Sequence, residues 1–172
     1  MVRDALLLVD LVNDFRHDDG DALLASFVAR QPRLVEVLER ARGSIPVVYA
    51  NDDWGRWDGN APGMVRDAIT EGLGGALVAA IAPREGERIV LKPRYSAFDS
   101  TPLEILLESL EIERILLAGM ATEMCVTQTA IAGRELGYKV TVLADACACV
   151  DEQREAIALE YLGDVVGVRI ER

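Results

Sequence analysis

The chain has 172 residues, with 29 acidic and 18 basic side chains that give a formal net charge of −11. A length not far above about 150 residues suits one domain, and a composition that is 51% hydrophobic and 27% charged allows a sizeable core, which excludes intrinsic disorder. Nucleic acids and anionic membranes attract clustered Lys and Arg, so the acidic excess argues against both as partners. The expected partner is therefore a small molecule.

The numbers of cysteines and histidines limit the kinds of protein and of metal site that the chain can form. Three cysteines, Cys125, Cys147 and Cys149, are too few and too odd in number for a disulfide framework, which predicts a reduced, cytoplasmic protein. We see no charged leader before an apolar stretch and no run of about 18 apolar residues, so we expect no membrane segment. The single histidine, His17, excludes a multi-histidine metal site.

Short apolar segments alternate along the chain with longer segments of helical period. The apolar segments predict strands at 5–10, 45–50, 87–91, 114–118, 139–143 and 165–168. Helices are predicted at 24–41, in two pieces because Pro32 favours a helix start, and at 101–110, 122–136 and 151–162. This alternation predicts an α/β fold, a parallel sheet with helices on both faces, in one domain over residues 1–172.

Polar side chains follow several of these strands. In open parallel sheets the ligand site lies beyond the carboxyl ends of the strands, so Asp10, Lys92 and Cys125 are expected at one rim. Cys125 follows Thr122, a candidate N-cap, and a helix N-terminus together with Lys92 would lower the pKa of its thiol. Asp10 could accept the thiol proton while Lys92 holds that carboxylate ionised. Taken singly, however, the two charges fit solvated strand ends, and Cys125 fits a small buried apolar residue.

The loop after the second strand holds candidate pocket residues. Trp54 and Trp57 are large apolar side chains in a polar loop, and they either wall a pocket or anchor the loop. Asn51 and Asp52 either hydrogen-bond a polar substrate or cap a turn. Cys147 and Cys149 are expected to pack as small side chains before the last predicted helix.

Four sequence blocks stand out in the chain: LLLVDLVNDF at 6–15, VVYANDD at 47–53, LKPRYSAF at 91–98 and GMATEMCV at 119–126. Together they resemble the isochorismatase-like cysteine hydrolases, which include nicotinamidases and N-carbamoylsarcosine amidases, and the resemblance covers nearly the whole chain. It implies a three-layer α/β/α sandwich with a six-stranded parallel sheet, and often a dimer or tetramer. Phe15 becomes a substrate contact by the same resemblance, because the first block places it near Asp10.

The resemblance also implies a catalytic triad of Asp10, Lys92 and Cys125. In that scheme Asp10 deprotonates Cys125, Lys92 orients Asp10, and the thiolate attacks a carbonyl to form a thioester. A cis peptide is implied between Met120 and Ala121, with the amides of Ala121 and Cys125 forming an oxyanion hole.

The chain departs from the nicotinamidase pattern at the metal site. Those enzymes carry an aspartate and several histidines after the second strand, whereas this stretch reads NDDWGRWDGN and leaves only carboxylates such as Asp52, Asp53 and Asp58 as ligands. We therefore predict no catalytic metal and no cofactor.

The leading hypothesis is a metal-independent hydrolase that cleaves a small amide or related C–N bond. A second reading is isochorismatase-type vinyl-ether hydrolysis, in which the cysteine need not be the nucleophile. A third, of another class, is a non-catalytic ligand-binding or thiol-sensing protein on the same fold, since a fold alone assigns no activity.

Overall fold

The structure, a computed structural model, describes residues 3–172. Six parallel strands form one sheet in the order β3-β2-β1-β4-β5-β6. The strands are β1 Asp4–Val9, β2 Val47–Asp52, β3 Arg88–Lys92, β4 Arg114–Met120, β5 Lys139–Ala148 and β6 Arg169–Glu171. The α-helices are α1 Gly20–Ala41, α2 Ala61–Thr70, α3 Gly75–Ile81, α4 Leu103–Ser109, α5 Thr127–Glu135 and α6 Glu152–Tyr161, and π-helical turns occupy Thr122–Val126 and Leu162–Val166.

The central strand β1 shows why the sheet carries helices on both faces. Its residues Ala5, Leu6, Leu7, Leu8 and Val9 are all fully buried, although successive side chains point to opposite faces. A strand that is apolar at every position needs cover on both sides, which parallel sheets obtain from crossover helices. The predicted α/β/α sandwich with a six-stranded parallel sheet is confirmed.

Helix α1 corrects the predicted break at Pro32. One helix runs through this proline, although proline removes a hydrogen bond and costs about 3 kcal/mol inside a helix. Phe27, Leu34 and Leu38 lie on both sides of it and are almost fully buried. Each such side chain contributes about 1.5–3 kcal/mol on burial, so the continuous apolar face outweighs the proline.

The last strand was predicted at the wrong place. Residues 162–166 extend α6 as a π-helical turn that ends at Gly167, whose φ is +76°, and β6 begins only at Arg169. Leu162 is fully buried there, so an apolar run that reads as a strand belongs to a helix end. Helices α2 and α3 were not predicted, and the glycine-rich segment 72–75 joins them and includes the first residue of α3. Over residues 3–172, we find no helix with the length and apolar character that a membrane crossing requires.

Strand order sets the position of the site. From β1 the chain moves to β2 and β3 on one side, then returns to place β4 on the other side of β1. Such a reversal opens a crevice at the carboxyl ends of the two central strands. The residues after β1 and β4 therefore face each other across this crevice.

Candidate active site

Asp10, Lys92 and Cys125 come from three different elements. Asp10 directly follows β1 and has a positive φ of 53°. Lys92 is the last residue of β3, and Cys125 lies in the π-helical turn after β4. The three side chains meet although β3 is separated from β1 by β2 in the sheet.

Lys92 joins the other two residues. Its Nζ lies 2.8 Å from Asp10 Oδ2, 3.4 Å from Cys125 Sγ and 3.0 Å from the Arg94 carbonyl oxygen, to which it also donates. The second oxygen of Asp10 accepts a 2.8 Å hydrogen bond from the Asp52 amide. The structure thus brings together the three residues that the strand ends predicted.

Burial sets the charges in this cluster. Lys92 is 1% exposed and Asp10 8% exposed. Burial raises the pKa of the Asp10 carboxyl, against the opposing effects of Lys92 and of the hydrogen bonds it accepts. For Lys92 burial acts to lower the pKa, but the Asp10 carboxylate outweighs burial and the pKa is raised. Lys92 therefore stays charged, and Asp10 is a stronger base than an exposed aspartate.

The thiol of Cys125 contradicts one expectation. Burial, followed by the nearby Asp10 carboxylate, raises the pKa of Cys125 to about 12, and Lys92 offsets only part of this. We expected Lys92 and the helix end to lower that pKa. Since the resting group is a neutral thiol, a nucleophilic attack needs a base that takes the proton as the bond forms.

Side chains that the sequence reasoning missed hold the turn that carries Cys125. Thr122 is not an N-cap: its hydroxyl lies 2.8 Å from Glu155 Oε1 and 3.1 Å from the Ala148 carbonyl oxygen. Glu123 Oε1 accepts the amides of Val150 and Asp151 at 2.9 and 3.0 Å. The turn is thus fixed to the end of β5 and to α6. The only sequence signal for these roles was two polar residues next to an apolar strand.

The backbone before this turn has two special features. The peptide between Met120 and Ala121 is cis, as the resemblance implied. Gly119 has a φ of +136°, and a Cβ there would lie 2.2 Å from the Val9 carbonyl oxygen, so only glycine fits beside β1.

Two cavities meet at the triad. The first, which we call the Trp54 cavity, has a volume of about 410 Å³. The second, the Tyr95 cavity, measures about 540 Å³. Asp10, Asp52 and Cys125 line both. The Cys125 sulfur is therefore reachable from two sides.

The predicted pocket residues divide into two groups. Asn51, Asp52 and Trp54 line the Trp54 cavity. Phe15 and Trp57 do not: Phe15 is 1% exposed and stacks on Phe27 in the core, and Trp57 is 72% exposed to solvent.

The side chain of Asn51 makes structural hydrogen bonds to the backbone. Its Oδ1 accepts the Val12 amide and its Nδ2 donates to the Val12 carbonyl oxygen, both at 2.9 Å. His17, treated in the sequence as a solvated loop residue, is exposed but does line the Trp54 cavity.

The residues after β2 do not fit a metal site. Asp53 accepts the amides of Gly55 and Trp57, and Asp52 accepts the amide of Trp54. These carboxylates shape turns in the loop. Within residues 3–172 no group of three or more His, Cys, Asp or Glu side chains is placed to hold a metal ion.

Comparison with known proteins assigns the family. The isochorismatase domain profile matches residues 4–171. The chain belongs to the isochorismatase family. The isochorismatase family protein YaaI of Bacillus subtilis is 29% identical over 96% of this chain and 92% of its own. The ureidoacrylate amidohydrolase RutB of Stutzerimonas stutzeri is 31% identical over 83% of this chain and 68% of its own.

A solved structure extends the match to three dimensions. The nicotinamidase SaPncA from Staphylococcus aureus has a TM-score of 0.79 at 26% identity and covers 100% of both chains. As a member of the isochorismatase family, the chain is a hydrolase. The resemblance noted in the four sequence blocks is confirmed.

Proposed function

We propose that this isochorismatase-family hydrolase cleaves a small amide or related C–N bond through a thioester on Cys125. The observation that carries the proposal is that Lys92 Nζ contacts both Asp10 and Cys125, the two residues of this cluster that line both cavities. Two of the compared proteins are named as an amidohydrolase and a nicotinamidase, which supports the same class of bond.

Asp10 acts as the base in the proposed first step. Its carboxylate takes the Cys125 proton while the sulfur attacks the carbonyl carbon, which avoids a free thiolate in a buried site where the thiol pKa is about 12. Lys92 donates to both groups and stays charged, so it stabilises the negative charge that moves between them. The amides of Ala121 and Cys125 are assigned to the developing oxyanion.

The remaining steps use the same carboxyl. The tetrahedral intermediate collapses, the C–N bond breaks, and Asp10 gives its proton to the leaving nitrogen. Water then attacks the thioester and passes one proton to Asp10, which returns a proton to the sulfur. The products are a carboxylic acid and ammonia or an amine. The steps assign no role to a metal, because within residues 3–172 no three His, Cys, Asp or Glu side chains are placed to hold one.

An activity screen with a matched cysteine control tests the proposal. Nicotinamide, N-carbamoyl compounds, other small primary amides and isochorismate are assayed with the wild type, with Cys125→Ala and with Cys149→Ala. We expect turnover of an amide, a fall of at least about 10⁴-fold in Cys125→Ala, and little change in Cys149→Ala, whose thiol lies outside both cavities.

Mass spectrometry separates the chemical alternatives. With a slow amide substrate the acyl group should add to the Cys125 peptide of the wild type. Turnover of isochorismate without an acyl adduct would favour vinyl-ether hydrolysis. Near-normal amide turnover in Cys125→Ala would refute nucleophilic catalysis by this residue.

A further inference from the structure

The two cavities differ in chemistry, although both reach the same sulfur. In the Trp54 cavity the exposed wall is more apolar than polar, with Val12, Leu23, Trp54, Met120 and Met124 on it, and the polar side chains of Asn13, Asp14, Arg16, His17 and Asp19 line the rest. Apart from the triad and Asp52, the Tyr95 cavity is lined by Pro93, Arg94, Tyr95, Ser96, Asp99 and Gln128. Apolar walls favour the carbon skeleton of a substrate, whereas polar walls favour water and small amines.

The proposed oxyanion hole fixes the orientation of the carbonyl group. Ala121 lines the Trp54 cavity but not the Tyr95 cavity. A carbonyl oxygen bound to the Ala121 amide therefore lies on the Trp54 side of Cys125. Of the two other groups on the carbonyl carbon, the acyl carbon chain is the one that the apolar side chains of the Trp54 cavity favour.

From this division we infer that the Tyr95 cavity is a separate binding site for the small polar reactants, the departing amine and the incoming water. The inference rests on the proposed function. Asp10 lines both cavities, so one carboxyl can take the thiol proton and deliver it to a nitrogen on the Tyr95 side. Gln128 offers a hydrogen-bond acceptor to a released amine, and so does Asp99, whose carboxylate also lies 3.4 Å from the Arg94 guanidinium and accepts the Ser100 hydroxyl.

The order of bond changes requires the departing amine and the incoming water to approach Asp10 from the same side. When the C–N bond breaks, the leaving nitrogen takes the proton from Asp10 and vacates a position next to that carboxylate. Water must occupy this position to lose a proton to Asp10 while its oxygen bonds to the thioester carbon. The C–S bond then breaks and the sulfur recovers the proton. Both exchanges occur through the Tyr95 cavity while the acyl group stays in place.

Crossed ester series test this assignment with probes of known size. One series keeps an acetyl group and enlarges the leaving group, from vinyl acetate through phenyl acetate to naphthyl acetate. The other keeps phenol as leaving group and enlarges the acyl group, from acetate to butyrate to hexanoate. Acylation of Cys125 is followed by intact mass and by kcat/KM.

Gln128→Trp fills the Tyr95 cavity from the exposed first turn of α5. We expect kcat/KM for naphthyl acetate to fall by about tenfold or more relative to vinyl acetate, with no dependence on acyl length. His17→Trp narrows the Trp54 cavity and should show the reverse pattern. Glu135→Trp, exposed on the same helix but outside both cavities, should match the wild type.

Two further measurements support the test: a variant that enlarges the cavity, whose expected gain misfolding could not produce, and the capture of the acyl group by nucleophiles that replace water. Tyr95→Ala, which enlarges the Tyr95 cavity at an exposed position, should improve naphthyl acetate relative to vinyl acetate. During phenyl acetate turnover, N-benzylhydroxylamine should capture the acyl group less well than hydroxylamine does, and Gln128→Trp should widen that difference.

The outcomes distinguish this inference from the proposed function. If no ester acylates Cys125 of the wild type, the proposed function fails and the inference fails with it. If Cys125 is acylated but Gln128→Trp and His17→Trp respond alike to both series, or respond in the reverse sense, only the assignment of the two cavities is wrong.

Discussion

Burial is the main reason that the pKa values of Asp10 and Cys125 are both raised; the Asp10 carboxylate raises the pKa of the Cys125 thiol further, whereas the hydrogen bond between the two acts to lower the pKa of Asp10. The resting cluster therefore carries a lysine ammonium, an aspartate carboxylate and a neutral thiol. This arrangement differs from a preformed thiolate–cation pair, in which the thiol pKa lies below its free value. In the proposed mechanism the sulfur is therefore activated by Asp10 and not by the helix end.

Asp10→Asn should lower the pKa of the Cys125 thiol and also lower turnover. The neutral amide removes the negative charge that raises the Cys125 pKa and leaves Lys92 free to stabilise a thiolate, so we expect that pKa to fall below about 12. Turnover should nevertheless fall by about 10²- to 10⁴-fold, because the base is lost. The pH dependence of iodoacetamide alkylation at Cys125, read by peptide mass, measures the pKa.

Lys92→Met is the matched variant, and it should raise the pKa of the Cys125 thiol instead of lowering it. Loss of the ammonium removes the group that lowers the Cys125 pKa, so alkylation should shift to higher pH. Circular dichroism checks that both variants are folded. An Asp10→Asn protein with an unchanged alkylation profile would show that the carboxylate does not control the thiol.

That Asp10, Lys92 and Cys125 lie together could be predicted from the sequence, whereas the residues that line the pocket could not. Asp10, Lys92 and Cys125 follow apolar strands, and parallel strands end at one edge, so their proximity follows from topology. The direction of a side chain after a strand depends on turn geometry that spacing does not reveal. For this reason Phe15 was expected in the pocket and is in the core, while His17 was assigned to solvent and lines a cavity.

At the level of elements, the π-helical turn Thr122–Val126 depends on contacts from elsewhere in the chain. Glu123 supplies one oxygen to two backbone amides at the end of β5. Removing that acceptor leaves two backbone donors without a partner, which costs about 1–3 kcal/mol for each one that stays buried. The turn then loses its fixed position relative to Asp10.

Glu123→Ala should therefore lower both stability and kcat. We expect the free energy of unfolding in urea to fall by about 2 kcal/mol and kcat to fall more than KM rises, because the sulfur is misplaced and the cavity walls remain. Glu123→Gln, which keeps an acceptor oxygen, should recover most of both losses. Glu135→Ala, at an exposed position on α5, serves as the control and should change neither quantity. A Glu123→Ala enzyme with wild-type kcat would mean that the turn holds its geometry without this contact.

A second contact between elements supports β3, the strand that carries Lys92. Arg42, at the end of α1, donates from Nε and Nη2 to the two carboxylate oxygens of Glu87 at 2.7 and 2.9 Å. Burial acts to raise the pKa of Glu87, but the hydrogen bonds from Arg42 and from the Arg84 amide outweigh it and hold that pKa below the ordinary 4.5. The pair thus stabilises the fold above about pH 4.5, and this contribution is lost as the pH falls through the pKa of the folded state.

Glu87→Gln should destabilise the protein at neutral pH and have less effect in acid. At pH 7 we expect the free energy of unfolding to fall by about 1–2 kcal/mol. The difference from the wild type should shrink steadily below pH 4.5, since Glu87 of the wild type is then protonated as well. Glu85→Gln, two residues away and exposed, provides the comparison. A stability difference that stays constant from pH 7 to pH 3 would exclude the ionised pair as its cause.

The elements that were predicted wrongly share one cause. Local preference placed a helix break at Pro32 and a strand at 165–168, but burial of Leu34, Leu38 and Leu162 against the rest of the fold decided otherwise. The first four strands were predicted to within two residues at each end, and the fifth was predicted at its start but runs on to Ala148; all five have apolar runs that lie in the sheet itself. Sequence periodicity therefore described the interior of the sheet better than the ends of the helices.

At the scale of the whole molecule, one continuous sheet orients all three triad residues. Asp10 and Cys125 follow the neighbouring strands β1 and β4, and Lys92 reaches them from β3, two strands away from β1. The carboxyl edge of the sheet thus sets where these three residues lie, and the segments after the strands supply the turn that carries Cys125 and the walls of the cavities. The dimer or tetramer, the cytoplasmic location and the small-molecule partner stay predictions, of which the first is tested by sedimentation equilibrium.

The composition of the whole chain leads to the prediction about metal. His17 is the only imidazole in 172 residues, and zinc or iron sites of the kind found in nicotinamidases need several. The neighbouring carboxylates Asp52 and Asp53 are hydrogen-bonded to loop amides, so binding a metal would require those turns to open. Dialysis of untagged protein against a chelator should leave kcat unchanged, and elemental analysis should find zinc and iron far below one equivalent. His17→Ala should not alter the metal content. Activity that is lost on dialysis and returns with one equivalent of a divalent metal would mean that the turns do open and that the reaction needs the ion.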